Sequence, residues 1–248
     1  MLTGPQNSAA AVVLGLTRTR ERILAAAAAA QRDARTVTLL AVSKQQSVDT
    51  IRAAYTAGQR DFGENYVQEA VAKIDALKDL DIVWHFIGQL QGNKTRLVAE
   101  RFHWVHTLDR ARIAQRLNAQ RPFHAPPLQV CVQVNLEAEP GKGGASPDEV
   151  AQLARLIRDL PRLRLRGLMC IPAPRPQFEE QRAVFARPAE LLAQLLADGY
   201  PVDTLSIGMS ADLEAAIAAG ATIVRVGTAV FGERSRAADR ASSEEERR

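Results

Sequence analysis

The sequence predicts a single α/β domain closed as a (β/α)8 TIM barrel, and three observations carry that prediction. Short β-rich segments alternate with amphipathic helical ones from Thr36 onward, with no Pro/Gly/Ser-rich linker between them. The alternation supplies eight strand–helix units in 248 residues, close to the length of about 250 usual for a barrel. An open doubly wound sheet would carry a G-x-G-x-x-G turn after its first strand, and Ser43-Lys44-Gln45 stands there instead.

The Ala-rich stretch from about Ser8 to Arg32 reads as a helix, because the unbroken alanines at 25–30 carry the best intrinsic helix propensity. It is expected to cap the bottom of the barrel. Strands follow near 37–43, 60–64, 82–87, 103–106, 128–135, 164–169, 203–207 and 222–227, with helices between them. Between Gln177 and Gly199 the pattern is helical, but Pro188 lacks an N–H and its ring clashes with the preceding turn, at a cost of about 3 kcal/mol. A kink or a restart is expected there. From Ser235 to Arg248 there is no apolar periodicity and charges of both signs mix, the pattern of a flexible tail. The expected organisation is a helical extension over 1–35 packed on the barrel, a barrel over 36–234 and a tail over 235–248.

Composition narrows the function. The chain is 46% hydrophobic, enough to bury one large core, and its net charge of +4 comes from 32 basic and 28 acidic residues spread along its length. No basic stripe invites nucleic acid. Cys131 and Cys170 stand alone, without a CxxC pair or a histidine at metal-ligand spacing, and read as small buried hydrophobes. The apolar residues from Ala9 to Leu16 have no basic residue before them and Arg18, Arg20 and Arg22 after, which is not the pattern of a secretory signal. No apolar run reaches the roughly 20 residues of a membrane span. A cytoplasmic protein with neither a membrane nor a nucleic-acid partner is expected.

In a barrel the C-terminal ends of the strands face the active site, so topology ranks the polar residues. Lys44 ends the first strand on the side of Leu40 and Val42, and its amine would sit in the mouth, where desolvation favours the neutral, nucleophilic form. A lysine that only reaches water from a strand end fits the same position. In Ile223-Val-Arg-Val-Gly-Thr228, alternation turns Arg225 and Gly227 away from the face of Val224 and Val226, placing a guanidinium inside the barrel. Its partner there is either a cofactor's ring nitrogen or a structural carboxylate. Gly227 permits close backbone approach and Thr228 offers a hydroxyl and an N–H, an anion site where barrels commonly bind phosphate. Strand seven runs into Ser206-Ile-Gly-Met-Ser210, with Ser210 placed as a helix N-cap and Asp212 and Glu214 in the first turn. An amine and a phosphate cradle on one rim are what holds pyridoxal 5'-phosphate as a Schiff base. Asp61-Phe-Gly-Glu-Asn65 and the run Trp84 to Lys94 bring further polar groups to the mouth. Asn65 is positioned for the cofactor's phenolic oxygen, and Glu64 or His85 for orienting neighbours; a core histidine is the plain alternative for His85. There is no Ser–His–Asp signature, HExxH or Walker loop.

These segments are similar to those of the pyridoxal phosphate homeostasis proteins, also called the proline synthetase co-transcribed or YggS-like family. The resemblance spans roughly Leu39 to Arg234 and rests on Ala-Val-Ser-Lys44, Phe62-Gly-Glu-Asn65, the run Trp84 to Lys94, Gly167-Leu-Met169, Ser206-Ile-Gly-Met-Ser210 and Arg225-Val-Gly-Thr228. It implies a fold-type III barrel like the amino-terminal domain of alanine racemase, with the cofactor on Lys44. The phosphate would be held by Ser210, Gly227 and Thr228, with Met209 beside them and Arg225 facing the pyridine nitrogen. Ile207, where many relatives carry Met, and Pro188 depart from the pattern at no expected contact.

The expected function is cofactor buffering or delivery with little or no catalysis, the partners being the cofactor and pyridoxal phosphate-dependent apoenzymes. An arginine at the pyridine nitrogen disfavours its protonation and weakens the ring as an electron sink. In the racemases to which the family is related, a tyrosine from a second domain serves as second base, and the positions of Tyr55, Tyr66 and Tyr200 supply no such domain. A slow amino-acid racemase or transaminase on Lys44 is the alternative, and a cofactor-free Schiff-base aldolase a third. Without the racemases' dimer-making domain, a monomer is expected.

Overall fold

A computed structural model describes residues 8–137 and 143–232. Eight parallel strands close into a barrel in sequence order. They are β1 (Thr38–Val42), β2 (Asp61–Glu64), β3 (Val83–Phe86), β4 (Trp104–Leu108), β5 (Leu128–Gln133), β6 (Leu163–Met169), β7 (Thr204–Ser206) and β8 (Ile223–Val226). The helices are α1 (Ala9–Ala29), α2 (Val48–Thr56), α3 (Val67–Ala76), α4 (Thr95–Arg101), α5 (Ala111–Gln120), α6 (Pro147–Arg158), α7 (Phe178–Ala197), α8 (Leu213–Ala218) and α9 (Thr228–Phe231). Every segment predicted as a strand overlaps one, with β4 running two residues further and β6 starting one residue earlier than expected. The predicted tail lies outside the described residues.

Two environments divide the strand side chains by parity. Leu39, Ala41, Phe62, Trp84, Phe86, Val105 and Val224 point outward into an apolar layer shared with the helices, where Phe86 and Phe102 meet edge to face at 5.5 Å. Burial of this layer is the main force holding the ring of helices to the barrel. Leu40, Val42, Cys131, Met169 and Ile223 are buried but stand apart from that layer. Alternation turns them inward, with the buried polar groups His85, His106, Ser206 and Arg225 among them.

Helix α1 departs from its expected place. Its contacts are with α2, α8 and α9, so it joins the outer ring and does not cap the barrel bottom. The reason lies in its stripe of Val12, Leu16, Thr19, Ile23, Ala26 and Ala27, which is buried side-on. Gly15 lets it approach α9 so closely that an added Cβ would lie 2.3 Å from the Val230 carbonyl oxygen. Pro188 does not restart α7, which runs unbroken from Phe178 to Ala197. Phe185, Pro188 and Leu195 are all buried on it, and that tertiary packing outweighs the missing backbone hydrogen bond. Among the described residues no helix is long and apolar enough to cross a membrane.

Candidate functional site

The barrel register brings the chemical ends together. β1 lies beside β8 with Leu40 opposite Arg225 and Ala41 opposite Val226, and β8 in turn adjoins β7 at Ser206 and Ile223. The turns that follow these strands, carrying Lys44, Ser210 and Gly227-Thr228, therefore open on one rim.

Lys44 is half-buried in the turn after β1. The peptide groups on both sides of it are gripped from α3. Lys73 Nζ donates to the Ser43 carbonyl oxygen at 2.7 Å, and the Gln45 N–H donates to Glu69 Oε1 at 2.5 Å. Gln45 adopts a left-handed backbone, φ 62°, a conformation held by such fixed partners. Lys73 also bonds Glu64 Oε1 at 2.8 Å and Glu69 Oε1 at 2.5 Å, while the Ser43 hydroxyl donates to Glu64 Oε1 at 2.6 Å. Glu64 is completely buried, and burial pushes its carboxyl up to about 7 against the opposing pull of Lys73; the charge of Glu69 adds to the rise. Glu64 thus sits behind the Lys44 turn, joining β2 to β1 and α3.

Ser210 is not the N-cap of α8. The chain closes a turn over 210–212 first, with Asp212 Oδ1 accepting the Met209 N–H at 2.5 Å, and α8 starts at Leu213 with only Glu214 of the two acids in its first turn. The Ser210 hydroxyl instead faces the Ala229 N–H of α9 at 3.5 Å. From outside, Arg22 of α1 donates to the Ser210 carbonyl oxygen at 3.0 Å and pairs with Glu214 at 2.7 and 2.9 Å. Thr228 is exposed at the start of α9, directly after Gly227, and Met209 is exposed on the rim. Asn65 follows β2 at the same end, and its Oδ1 is buried without a hydrogen-bond partner.

Arg225 is 4% exposed and points inward. Its guanidinium donates to the Ser206 carbonyl oxygen at 2.5 Å, to Ser206 Oγ at 2.8 Å and to the Cys170 carbonyl oxygen at 3.0 Å. Among the described residues no carboxylate hydrogen-bonds it, so the structural-carboxylate alternative is set aside and the buried cation faces the lumen on neutral acceptors. Burial lowers its pKa from the usual arginine value. His85 lies deeper, at 1% exposure, with Nε2 at 3.1 Å from Asp61 Oδ1 and Nδ1 at 2.9 Å from His106 Nε2. Both ring nitrogens are engaged below the mouth, so the core position is the one it occupies.

Sequence reasoning passed over Lys73, Glu69, His106 and the hydroxyl of Ser206. His106 shared the inward parity of Trp104 in a predicted strand, and a polar residue on that parity was its signal. Lys73 and Glu69 carried only an i, i+4 spacing common on exposed helices. Cys131 and Cys170 are buried, and burial pushes the Cys131 thiol up to about 12. Among the described residues no cluster of three His, Cys, Asp or Glu could hold a metal.

The residues present fit pyridoxal phosphate by their chemistry. They offer an amine on a fixed turn, hydroxyls beside backbone N–H groups for a dianion, an inward cation without a bonded anion, and an orphaned buried amide oxygen on Asn65.

Comparison with known proteins points to the same cofactor. Residues 18–235 match the family model "Alanine racemase, N-terminal domain". The pyridoxal phosphate homeostasis protein of Pseudomonas aeruginosa is 54% identical over 219 residues, covering 88% of this chain and 94% of that one. PipY of Synechococcus elongatus PCC7942, solved with PLP bound, is 37% identical with a TM-score of 0.75, over 89% of this chain and all of that one. Alanine racemase of Clostridium difficile 630 shares the barrel alone, with a TM-score of 0.65 at 14% identity over 80% of this chain and 53% of that one.

Proposed function

The chain belongs to the pyridoxal phosphate homeostasis protein family, and from that premise we propose that it holds pyridoxal 5'-phosphate on Lys44 and buffers or delivers it. When bound, the cofactor supplies an aldehyde for a Schiff base with the lysine amine. The Lys73–Glu69 grip on the flanking peptides fixes where that amine points. Ser210, Gly227 and Thr228 hold the phosphate, with Met209 on the rim beside them. Asn65 offers its amide to the phenolic oxygen.

Arg225 is the observation that carries the reading. A guanidinium held on two carbonyl oxygens and a hydroxyl keeps its full positive charge toward the lumen. Beside a pyridine nitrogen it disfavours protonation there, which withholds the electron sink that racemisation and transamination require. The tyrosines support the same conclusion. Tyr55 lies under the Arg60 guanidinium at 3.9 Å and Tyr200 lies 6.0 Å from that of Arg158, both away from the rim. Tyr66, at the N-cap of α3, is the one nearest it. Cofactor binding without turnover follows, with apoenzymes as recipients and the monomer as the working unit.

The test is the absorbance of the protein with added pyridoxal phosphate, before and after borohydride reduction, followed by peptide mapping. A reducible band with the adduct on Lys44, no band in Lys44→Ala, and no exchange of an amino acid's α-proton with deuterium support the proposal. An adduct elsewhere refutes the lysine assignment, and steady α-proton exchange refutes the carrier reading in favour of a racemase.

A further inference from the structure

A continuous hydrogen-bonded chain runs through the barrel lumen from the floor to Arg225. It begins at Asp61, the first residue of β2, whose side chain is 29% exposed. There Asp61 lines a floor groove of about 430 Å³ with Arg20, Arg60 and Leu39. Asp61 Oδ1 meets His85 Nε2 at 3.1 Å, His85 Nδ1 meets His106 Nε2 at 2.9 Å, and His106 Nδ1 meets Ser206 Oγ at 2.8 Å. Ser206 Oγ then accepts from Arg225 Nη1 at 2.8 Å. His85, His106 and Ser206 are at most 1% exposed, so water does not compete along the way.

The donor inventory fixes the direction of every bond. An ionised carboxylate only accepts, so the proton on His85 is at Nε2 and its Nδ1 is an acceptor. His106 must therefore donate from Nε2, which leaves its own Nδ1 bare. Into that nitrogen the Ser206 hydroxyl must donate, and its lone pair is then free for the guanidinium. This sequence needs both imidazoles neutral, the form that burial favours by lowering their pKa values. Without Asp61 the histidines can take the other tautomer. Ser206 Oγ would then accept from His106, in competition with Arg225 for the same oxygen, and its own proton would have no acceptor in the chain.

We propose that Asp61, through His85 and His106, is a positioning residue for Arg225: a one-way relay that holds the Ser206 lone pair on the guanidinium and so fixes the cation facing the cofactor ring. The proposal rests on the cofactor reading given above, but its first readout does not. Long-range 1H–15N correlation spectra of cofactor-free protein report each histidine tautomer. Both His85 and His106 are expected to carry the proton on Nε2; a proton on Nδ1 of either overturns the relay.

Asp61→Ala is expected to shift the His106 nitrogen signals, although the two residues are not in contact, and to weaken pyridoxal phosphate binding by about three- to tenfold. Asp61→Asn, whose amide oxygen can accept the same proton, is expected to restore both. A folded Asp61→Ala protein with unchanged His106 signals and unchanged affinity overturns the proposal. If that variant does not fold, the wild-type tautomers still decide. Wild-type protein that takes up no cofactor refutes the function proposed above, while the tautomers are read regardless.

Discussion

A buried carboxyl behind the Lys44 turn makes the site sensitive to pH. Glu64 has a folded-state pKa of about 7 against an ordinary 4.5, raised by burial. The folded state therefore holds a proton that the unfolded chain releases, and this contribution is complete below about pH 4.5 and lost as pH rises through about 7. The span corresponds to about 3 kcal/mol at most. The urea midpoint of the wild type is expected to fall between pH 5 and pH 8 relative to that of Glu64→Gln; parallel pH profiles would show that Glu64 stays ionised throughout. At the neighbouring rim Gly208 has φ 88°, and an added Cβ would lie 2.5 Å from the Ala216 Cβ. Gly208→Ala is expected to cost about 1–3 kcal/mol and to lower the melting temperature, since strain and overlap act together.

Helix α1 reaches into the site from outside the barrel. Arg22 and Glu214 are half-exposed, at 36% and 41%, so their pair is worth under about 1 kcal/mol to folding. Its effect is local: the same guanidinium holds the Ser210 carbonyl oxygen. Arg22→Met is expected to leave the melting temperature nearly unchanged and to weaken pyridoxal phosphate binding severalfold, as measured by titration of the reducible band. An unchanged affinity would separate α1 from the phosphate turn. Gly15→Ala tests the packing of the same helix, because its Cβ would meet backbone of α9, which cannot swing aside as a side chain could.

At the scale of the whole molecule α1 belongs to the barrel's fold. Val12, Leu16, Ile23 and Ala27 are buried against the ring of helices, and removing them would uncover apolar faces of α2, α8 and α9. A chain lacking residues 1–30 is expected to bind a hydrophobic dye and to lose cooperative melting; a sharp transition at the wild-type temperature would make α1 dispensable. The exposed large apolar residues Val13, Leu14, Leu24, Phe123, Phe178, Leu196 and Met209 are spread over several elements. Sedimentation is accordingly expected to report a 27.0 kDa monomer. By itself the sequence determined the eight-strand order, the inward parity of Arg225 and the strand-end place of Lys44, because these follow from local alternation and from polar residues breaking it. Tertiary structure alone decided that α1 joins the ring, that Ser210 turns to α9, and that α3 grips the Lys44 turn. It also decided that Asp61, His85, His106 and Ser206 form one chain. Each of these depends on contacts between residues far apart in sequence, such as His106 and Ser206 across the lumen, and their strength comes from shared burial that no local pattern encodes.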